Sequence, residues 1–377
     1  MLGSWTLRGF GRHAESSNSV DSSDDSAMHD YTTKPILQVP QHALPVPQPV
    51  LNESQEEKLA GLRVGITPSI ISAEIDSKAH ESEKAWLIDA CLMRYLRARK
   101  WDVELARKEL ENSLKWRREY KPESIPPEEI EPEEVTGKTY LNGFDLHGRP
   151  NMYFKTGREN CKPSSRQIRN VVFNMENAIA MMPEGVETLN IIIDFEGSSA
   201  STAPGVSISK QFVDVLANQY PERIGSFFLI NTPWFFWPFF KIVGPFIDPV
   251  TRSKMKFVDL KTQLALAKEA RAQRKANDIL EASKPVTSTE SDEANKDEEP
   301  IIMPTATHKT WVNLYDYIAP EQLESDYGGE HWFKWEFADY WQTLLHRMRT
   351  WRNDLIVDDV EKIVVETAIK EPTPQLA

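Results

Sequence analysis

The chain is poor in cysteine and has no long apolar run, and both shortages narrow what it can be. Cys91 and Cys161 are its two cysteines in 377 residues, and they form no zinc-binding pattern. Such sparse usage fits a reducing compartment better than a disulfide-rich secreted fold. No stretch of about twenty apolar residues occurs, so the sequence predicts no membrane-spanning helix. We therefore expect a cytoplasmic protein with no metal site.

Positive charge is also scarce relative to negative charge. Lys and Arg number 44 against 57 Asp and Glu, which gives a net charge of −13. That balance argues against nucleic acid as a partner, because a broad electrostatic grip needs an excess of positive charge. One basic cluster stands out, formed by Arg94, Arg97, Arg99, Lys100, Arg107, Lys108, Lys115, Arg117 and Arg118. Its pattern fits either a solvated helix face or, at the two residues between the helices, an anion site.

Motifs that would indicate catalysis are missing or weak. The sequence has no Gly-x-Ser-x-Gly nucleophile elbow, and Gly9 and Gly11 lack the context of a phosphate loop. Asp194 and Glu196 could act as paired carboxylates, although residues at strand ends more often cap loops. His331 stands alone among aromatic residues, as a packed histidine does. We therefore expect a protein that is not an enzyme and holds no cofactor.

The N-terminal part of the chain changes from a polar tail to a helical unit. Residues 1–55 are rich in serine, aspartate and proline, a composition typical of disorder. Between residues 84 and 118 apolar residues recur with helical spacing. Asp102 predicts an N-cap within that stretch, and Pro122 predicts its end. We assign residues 56–125 to a helical N-terminal domain.

The following residues alternate between strand and helix patterns. Nearly continuous apolar runs at 189–195 and 227–230 are typical of buried parallel strands. The alternation predicts an α/β domain with a mixed or parallel sheet at residues 126–330. A helical extension and a flexible polar insertion interrupt it at about 264–305. Residues 331–377 read as a helical C-terminal extension and tail.

The gate segment, residues 233–246, is unusually aromatic. It reads PWFFWPFFKIVGPF, and its aromatic side chains are Trp234, Phe235, Phe236, Trp237, Phe239, Phe240 and Phe246. The segment is too short to span a membrane. A core helix rarely has aromatic residues on every face. A lid would account for the pattern if it covers an apolar cavity when closed and meets lipid when open; a static core helix is the alternative.

Several short motifs, in the same order along the chain, resemble the CRAL-TRIO lipid-transfer family. They lie at residues 92–102 (LMRYLRARKWD), 220–225 (YPERIG), 231–233 (NTP), 245–254 (PFIDPVTRSK) and 327–329 (YGG). The motifs most resemble those of fungal phosphatidylinositol transfer proteins of the pleiotropic-drug-resistance subgroup. The resemblance implies a helical unit packed on an α/β domain whose sheet floors a lipid pocket. It also implies that the gate segment is a mobile gate helix.

The resemblance further implies which residues contact the lipid. The matching headgroup positions are Arg99, Lys100, Glu222, Thr251 and Lys254. Cationic side chains there can neutralise a phosphodiester, and glutamate can accept from inositol hydroxyls. Family members that bind phosphatidylcholine carry hydroxyl side chains where this chain has Leu189 and Ile191. With Ile193, these two residues are expected to line the pocket, and phosphatidylcholine becomes a doubtful cargo.

The expected function is binding of phosphatidylinositol and its transfer between membranes. Contact with membranes would be peripheral and transient, with the endoplasmic reticulum, lipid droplets and plasma membrane as candidate surfaces. Two alternatives stay open. One is a carrier of a sterol or another hydrophobe; the other is a lipid-sensing module that presents phosphatidylinositol to lipid kinases.

Overall fold

A six-stranded mixed sheet forms the centre of the molecule. The computed structural model describes residues 30–199, 205–247, 249–282 and 311–350. The strands are β1 (Thr139–Phe144), β2 (Pro150–Lys155), β3 (Leu189–Asp194), β4 (Ile224–Ile230), β5 (Met255–Val258) and β6 (Trp311–Val312). They lie side by side in sequence order. β1 is antiparallel to β2, and all four remaining neighbouring pairs are parallel. The α/β class with a mixed sheet is confirmed.

Helices cover the sheet and form a separate N-terminal layer. Before the sheet come α1 (Glu53–Ile66), α2 (Ser77–Trp86), α3 (Asp89–Ala98), α4 (Val103–Tyr120) and α5 (Pro127–Glu134). Between and after the strands come α6 (Ser165–Ala180), α7 (Val206–Gln219), α8 (Phe236–Val243), α9 (Pro249–Ser253), α10 (Leu260–Ala282) and α11 (residues 337–350). None of the helices in the described ranges is both long and apolar enough to cross a membrane.

The N-terminal helices begin and end where local chemistry directs. The Asp102 side chain accepts from the backbone N–H of Leu105 at 2.9 Å, so it caps α4 as predicted. After Tyr120 the chain turns through Lys121 at φ 51°, and Pro122 follows. A left-handed residue followed by proline cannot continue a helix. The apolar faces of α1, α3 and α4 then meet in a core of their own.

Residues 30–52 correct the expectation of disorder up to residue 55. Ile36 exchanges two hydrogen bonds with β1, from its N–H to the Asn142 side chain and from the N–H of Gly143 to its carbonyl. The Leu37 side chain is buried, and the N–H of Leu44 donates to Leu146 at 2.7 Å. This segment covers the exposed edge of β1, and those contacts offset the entropy lost on ordering. Residues 1–29 lie outside the described ranges.

The predicted helical extension with its insertion, at about 264–305, and the predicted C-terminal extension, at 331–377, each contain a helix in the described ranges. The helical extension predicted before the insertion is α10, while residues 283–310 lie outside the described ranges. In the C-terminal extension α11 begins at residue 337, and residues 351–377 again lie outside. Its buried face meets the end of the sheet, where the Tyr340 hydroxyl accepts from the N–H of Leu141 at 2.9 Å. The division into domains at residues 55, 125 and 330 stays a prediction.

A buried carboxyl at the end of α5 makes stability depend on pH. Glu134 is fully buried, and the Asn174 amide donates to it at 2.8 Å. Loss of solvation raises the pKa of Glu134 from 4.5 to about 8, against the opposing effect of the Asn174 and Asn170 side chains. The folded state therefore binds more protons than the unfolded chain between these two pH values. Stability contributed by this group must fall as pH rises through that window.

We expect Glu134→Gln to remove that fall in stability. Glutamine matches the protonated acid in shape and carries no charge at any pH. From pH 5 to pH 8 the wild type should lose on the order of a few kcal/mol relative to the variant. Urea unfolding at both pH values measures this, with the exposed Glu119→Gln as the control. Parallel pH profiles for the wild type and Glu134→Gln would contradict the prediction.

Candidate functional site

An apolar cavity of about 690 Å³ lies between the sheet and its covering helices. Ile193 of β3 and Phe227 of β4 form part of its floor. Val171 of α6, Phe212 of α7 and Phe236 of α8 contribute to the walls. The volume falls within the range of small-molecule sites, about 300–1,000 Å³. Such a lining offers an environment for apolar chains rather than for a reacting polar substrate.

All five side chains predicted to hold a headgroup line this cavity. Arg99 and Lys100 follow α3, Glu222 precedes β4, Thr251 lies on α9, and Lys254 precedes β5. Strands β4 and β5 are parallel neighbours, so the residues before them meet at one edge of the sheet. The structure thus brings together positions that lie up to 155 residues apart in sequence, from 99 to 254.

Glu222 and Lys254 form a loose ion pair at the cavity wall. Lys254 Nζ lies 3.9 Å from Glu222 Oε2, and the two side chains are 22% and 28% exposed. This distance exceeds that of a direct hydrogen bond, about 3.2 Å at most. Both groups therefore keep bonding capacity for a ligand. Glu222 has φ 56° and Lys100 has φ 54°, a left-handed backbone that non-glycine residues rarely adopt.

The predicted pocket-lining residues divide between the cavity and the core. Ile193 lines the cavity, but Leu189 and Ile191 are absent from its lining. Both are fully buried and belong to the hydrophobic core. The three alternate residues share one face of β3, but the first two lie nearer its N-terminal end, where packed neighbours cover them. The expectation that Leu189 and Ile191 line the pocket is therefore wrong.

The gate segment has one face toward the cavity and another toward solvent. Phe235, Phe236 and Phe240 line the cavity. The Phe236 ring is 6% exposed and lies 5.4 Å from the Phe195 ring, centroid to centroid. Trp234 is 80% exposed and Trp237 is 51% exposed. Phe246 lies on the same exposed stretch. The Phe239 side chain lies outside what the structure describes.

A buried ionic cluster at the opposite end of the cavity was missed from the sequence. Lys138 Nζ lies 2.5 Å from a carboxylate oxygen of Glu133 and 2.5 Å from one of Glu159. Lys138 precedes β1, and its backbone carbonyl accepts a hydrogen bond from the N–H of Lys155, at the carboxyl end of β2. Glu133, Glu159 and Cys161 could together present metal ligands, but the Lys138 ammonium already supplies positive charge to both carboxylates. The spacing of Glu133, Lys138 and Glu159 in the sequence matches no motif that would predict this cluster.

Of the two carboxylates weighed as a catalytic pair, Asp194 has structural partners. Asp194 accepts from the Tyr327 hydroxyl at 2.8 Å and from the Asn231 amide at 2.9 Å. Its other contact is the backbone N–H of Glu196, also at 2.9 Å. Asp194 is 3% exposed. Its oxygens therefore hold the loop after β3 together.

Comparison with known proteins places these features in one family. Residues 134–275 match the CRAL/TRIO domain model, and residues 50–112 match the model of the CRAL/TRIO N-terminal domain. The SEC14 cytosolic factor of Candida glabrata is 34% identical over 210 residues, which cover 50% of this chain and 69% of that protein. The chain belongs to the CRAL-TRIO family.

Two further relatives match over shorter shares of their own length. The phosphatidylinositol transfer protein PDR17 of Saccharomyces cerevisiae is 39% identical over 194 residues, 48% of this chain and 55% of that protein. The CRAL-TRIO domain-containing protein C23B6.04c of Schizosaccharomyces pombe is 45% identical over 177 residues, 47% of this chain and 18% of that protein. The chain thus spans about half of the former and less than a fifth of the latter.

Proposed function

We propose that this protein binds phosphatidylinositol in the cavity and transfers it between membranes. The carrying observation is the apolar cavity walled by all five predicted headgroup residues and bordered by an aromatic gate. PDR17 is named as a phosphatidylinositol transfer protein, and the Candida glabrata relative is named as a cytosolic factor. Both names support the proposal. The carrier would be cytoplasmic and touch membranes transiently.

The headgroup chemistry divides between phosphate and inositol. Arg99, Lys100 and Lys254 supply three positive charges around a phosphodiester that carries one negative charge. Thr251 offers a hydroxyl to the phosphate oxygens, and Glu222 accepts from inositol hydroxyls. Selectivity follows because a headgroup without hydroxyls leaves the Glu222 carboxylate without ligand partners.

An apolar lining and a lid are what transfer through water requires. A diacyl lipid has on the order of thirty acyl methylene groups, so exposing both chains costs roughly 25 kcal/mol. The cavity walls replace the bilayer as surroundings for those chains. Gate opening at a membrane surface then permits exchange, in which no covalent bond is made or broken.

Vesicle transfer distinguishes a carrier from the alternatives. Purified protein is mixed with donor vesicles that contain labelled phosphatidylinositol and with unlabelled acceptor vesicles. Label should move to the acceptors, and the recovered lipid should be chemically intact. Binding without transfer would favour a sensing module that presents phosphatidylinositol to lipid kinases. Recovery of a cleaved or modified lipid would indicate an enzyme.

A sterol or another hydrophobe is the second candidate cargo. The strand face at Leu189 and Ile191 offers no hydroxyl for a phosphatidylcholine phosphate, and both side chains are fully buried. The apolar lining of the cavity itself, which includes Ile193, Phe212 and Phe227, also suits a cargo with few polar groups.

We expect the wild type to exchange phosphatidylcholine poorly. Leu189→Ser with Ile191→Thr should restore some exchange only if the core there opens, because neither side chain reaches the cavity. Burying two hydroxyls without partners will also lower stability, by roughly 1–3 kcal/mol each. Vesicle transfer with labelled phosphatidylcholine and phosphatidylinositol measures both. Equal rates for the two lipids in the wild type would contradict the expectation.

A further inference from the structure

A second, smaller pocket lies where the N-terminal helices meet the sheet domain. Its lining includes three arginines, which are Arg94 of α3, Arg117 of α4 and Arg223 before β4. Glu176 of α6 is the one carboxylate in the lining of this pocket as the structure describes it. Arg117 also pairs with Glu123, which lies outside the lining, so the three guanidinium groups face two carboxylates and a net positive charge remains.

Arg94 is the unusual member of this group. Its side chain is buried, at 5% exposure, yet it pairs with no carboxylate in the described ranges. Its guanidinium lies beside the thiol of Cys91, where its charge opposes the effect of burial on that thiol's pKa. A buried guanidinium without an anionic partner is unfavourable. The geometry therefore leaves a place for an anion.

The other two arginines are held in place around the pocket. Arg117 pairs with Glu123 and, at 3.1 Å, with Glu176, and it lies over the Trp86 ring, 4.9 Å from its centroid. Arg223 donates to the carbonyl of Glu187 at 2.9 Å. Burial lowers the pKa of Arg223 to about 10, and the nearby charge of Arg94 adds to the effect. Both residues stay cationic at neutral pH. Glu176 and Glu123 balance the charge of Arg117, so it is the charge of Arg223 that adds to that of Arg94.

Size and geometry decide which anion fits. The pocket has a volume of about 50 Å³, and a single water needs about 10–15 Å³ by a similar measure. It can hold a few waters or one small ion, but not an inositol ring. Guanidinium groups match tetrahedral oxyanions well, because each presents a planar fork of donors.

We propose that this pocket binds a small tetrahedral oxyanion of the phosphate or sulfate class, taken from solution. The site is distinct from the lipid cavity, although the turn of residues 220–223 borders both pockets. Glu222 lies within that turn and lines the lipid cavity. A bound oxyanion would thus lie behind the headgroup end and join the helical unit to the sheet domain.

Binding of inorganic phosphate tests the proposal. Isothermal titration is run in a buffer free of phosphate and sulfate, with chloride keeping the ionic strength constant. The wild type should bind phosphate saturably, and Arg94→Gln should weaken binding by at least about tenfold. Lys108→Gln removes the same charge from an exposed position on α4 and should leave affinity within about twofold. If circular dichroism shows that Arg94→Gln is unfolded, Arg223→Gln takes its place.

A second arm separates free phosphate from a lipid headgroup. Lys254→Gln, and wild type preloaded with phosphatidylinositol from vesicles, should both bind phosphate within about twofold of the wild type. Loss of phosphate binding in either case would place the phosphate at the headgroup end and overturn the proposal. Absence of saturable binding by the wild type up to about 20 mM phosphate would overturn it as well.

Discussion

Replacing Glu222 and Lys254 together with alanine is expected to abolish phosphatidylinositol transfer while the protein stays folded. The pair lies at the cavity wall with its charged atoms 3.9 Å apart, and both side chains are partly exposed. Removing both partners leaves no uncompensated charge, so the cost in stability is small. Charge-assisted hydrogen bonds contribute about 1.5–3 kcal/mol each, so losing two slows transfer by on the order of 10²–10⁴-fold.

The matched control for this pair lies on α2. Glu81 and Lys84 form an exposed ion pair at 3.4 Å, and neither residue lines the cavity. Glu81→Ala with Lys84→Ala should transfer phosphatidylinositol at the wild-type rate. Transfer between vesicles is measured for both double variants, with urea unfolding as the test of folding. An unchanged rate for the Glu222 and Lys254 variant would remove these residues from the headgroup site.

Charged replacements in the gate segment should also slow exchange strongly, by two different routes. Phe236 packs against the rings of Phe195 and Phe257, so Phe236→Asp should disturb the closed gate and lower stability. Trp234 is 80% exposed, so Trp234→Asp should leave stability nearly unchanged and weaken membrane contact instead. Val64 of α1 is 76% exposed, and Val64→Asp is the control for an exposed apolar residue made acidic. We expect about tenfold slower transfer or more for both gate variants and a wild-type rate for the control.

Tryptophan fluorescence reports on the gate directly. Trp234 or Trp237 is kept as the sole tryptophan of the gate segment in variants with other tryptophans replaced. Adding vesicles should shift emission to the blue and expose the ring to quenchers carried by lipid, because tryptophan partitions into the membrane interface. Exchange without any response from either probe would make the segment a static helix and contradict the gate model.

Local patterns predicted the elements that hold the cavity in place. The cap at Asp102 follows from a side chain and the N–H groups next to it, and β3 and β4 follow from continuous apolar runs. β1 has no such run, since it contains Asn142 and Gly143 and its partners come from distant parts of the chain. Order in residues 30–52 escaped prediction for the same reason. Composition reports what a segment can bury alone, and these residues gain order only against β1.

The functional residues show a similar limit. The pattern of the basic cluster predicted either a solvated helix face or an anion site. In the structure its residues lie in different environments. Arg107 pairs with carboxylates on α4 and Arg118 with one on α2. Arg99 and Lys100 line the lipid cavity, and Arg94 turns inward. Sequence spacing gives the face of a helix but not what covers that face. Spacing likewise shows which residues share a face of β3. It does not show that Ile193 on that face lines the cavity while Leu189 packs in the core.

Mass spectrometry of organic extracts from the purified protein tests the central proposal most directly. If phosphatidylinositol occupies the cavity, it should co-purify with the wild type at close to one molecule per chain. The variant with alanine at positions 222 and 254 should lose it, and the variant with alanine at positions 81 and 84 should keep it. Extracts of the wild type that contain a sterol or no lipid, with phosphatidylinositol absent, would contradict the account.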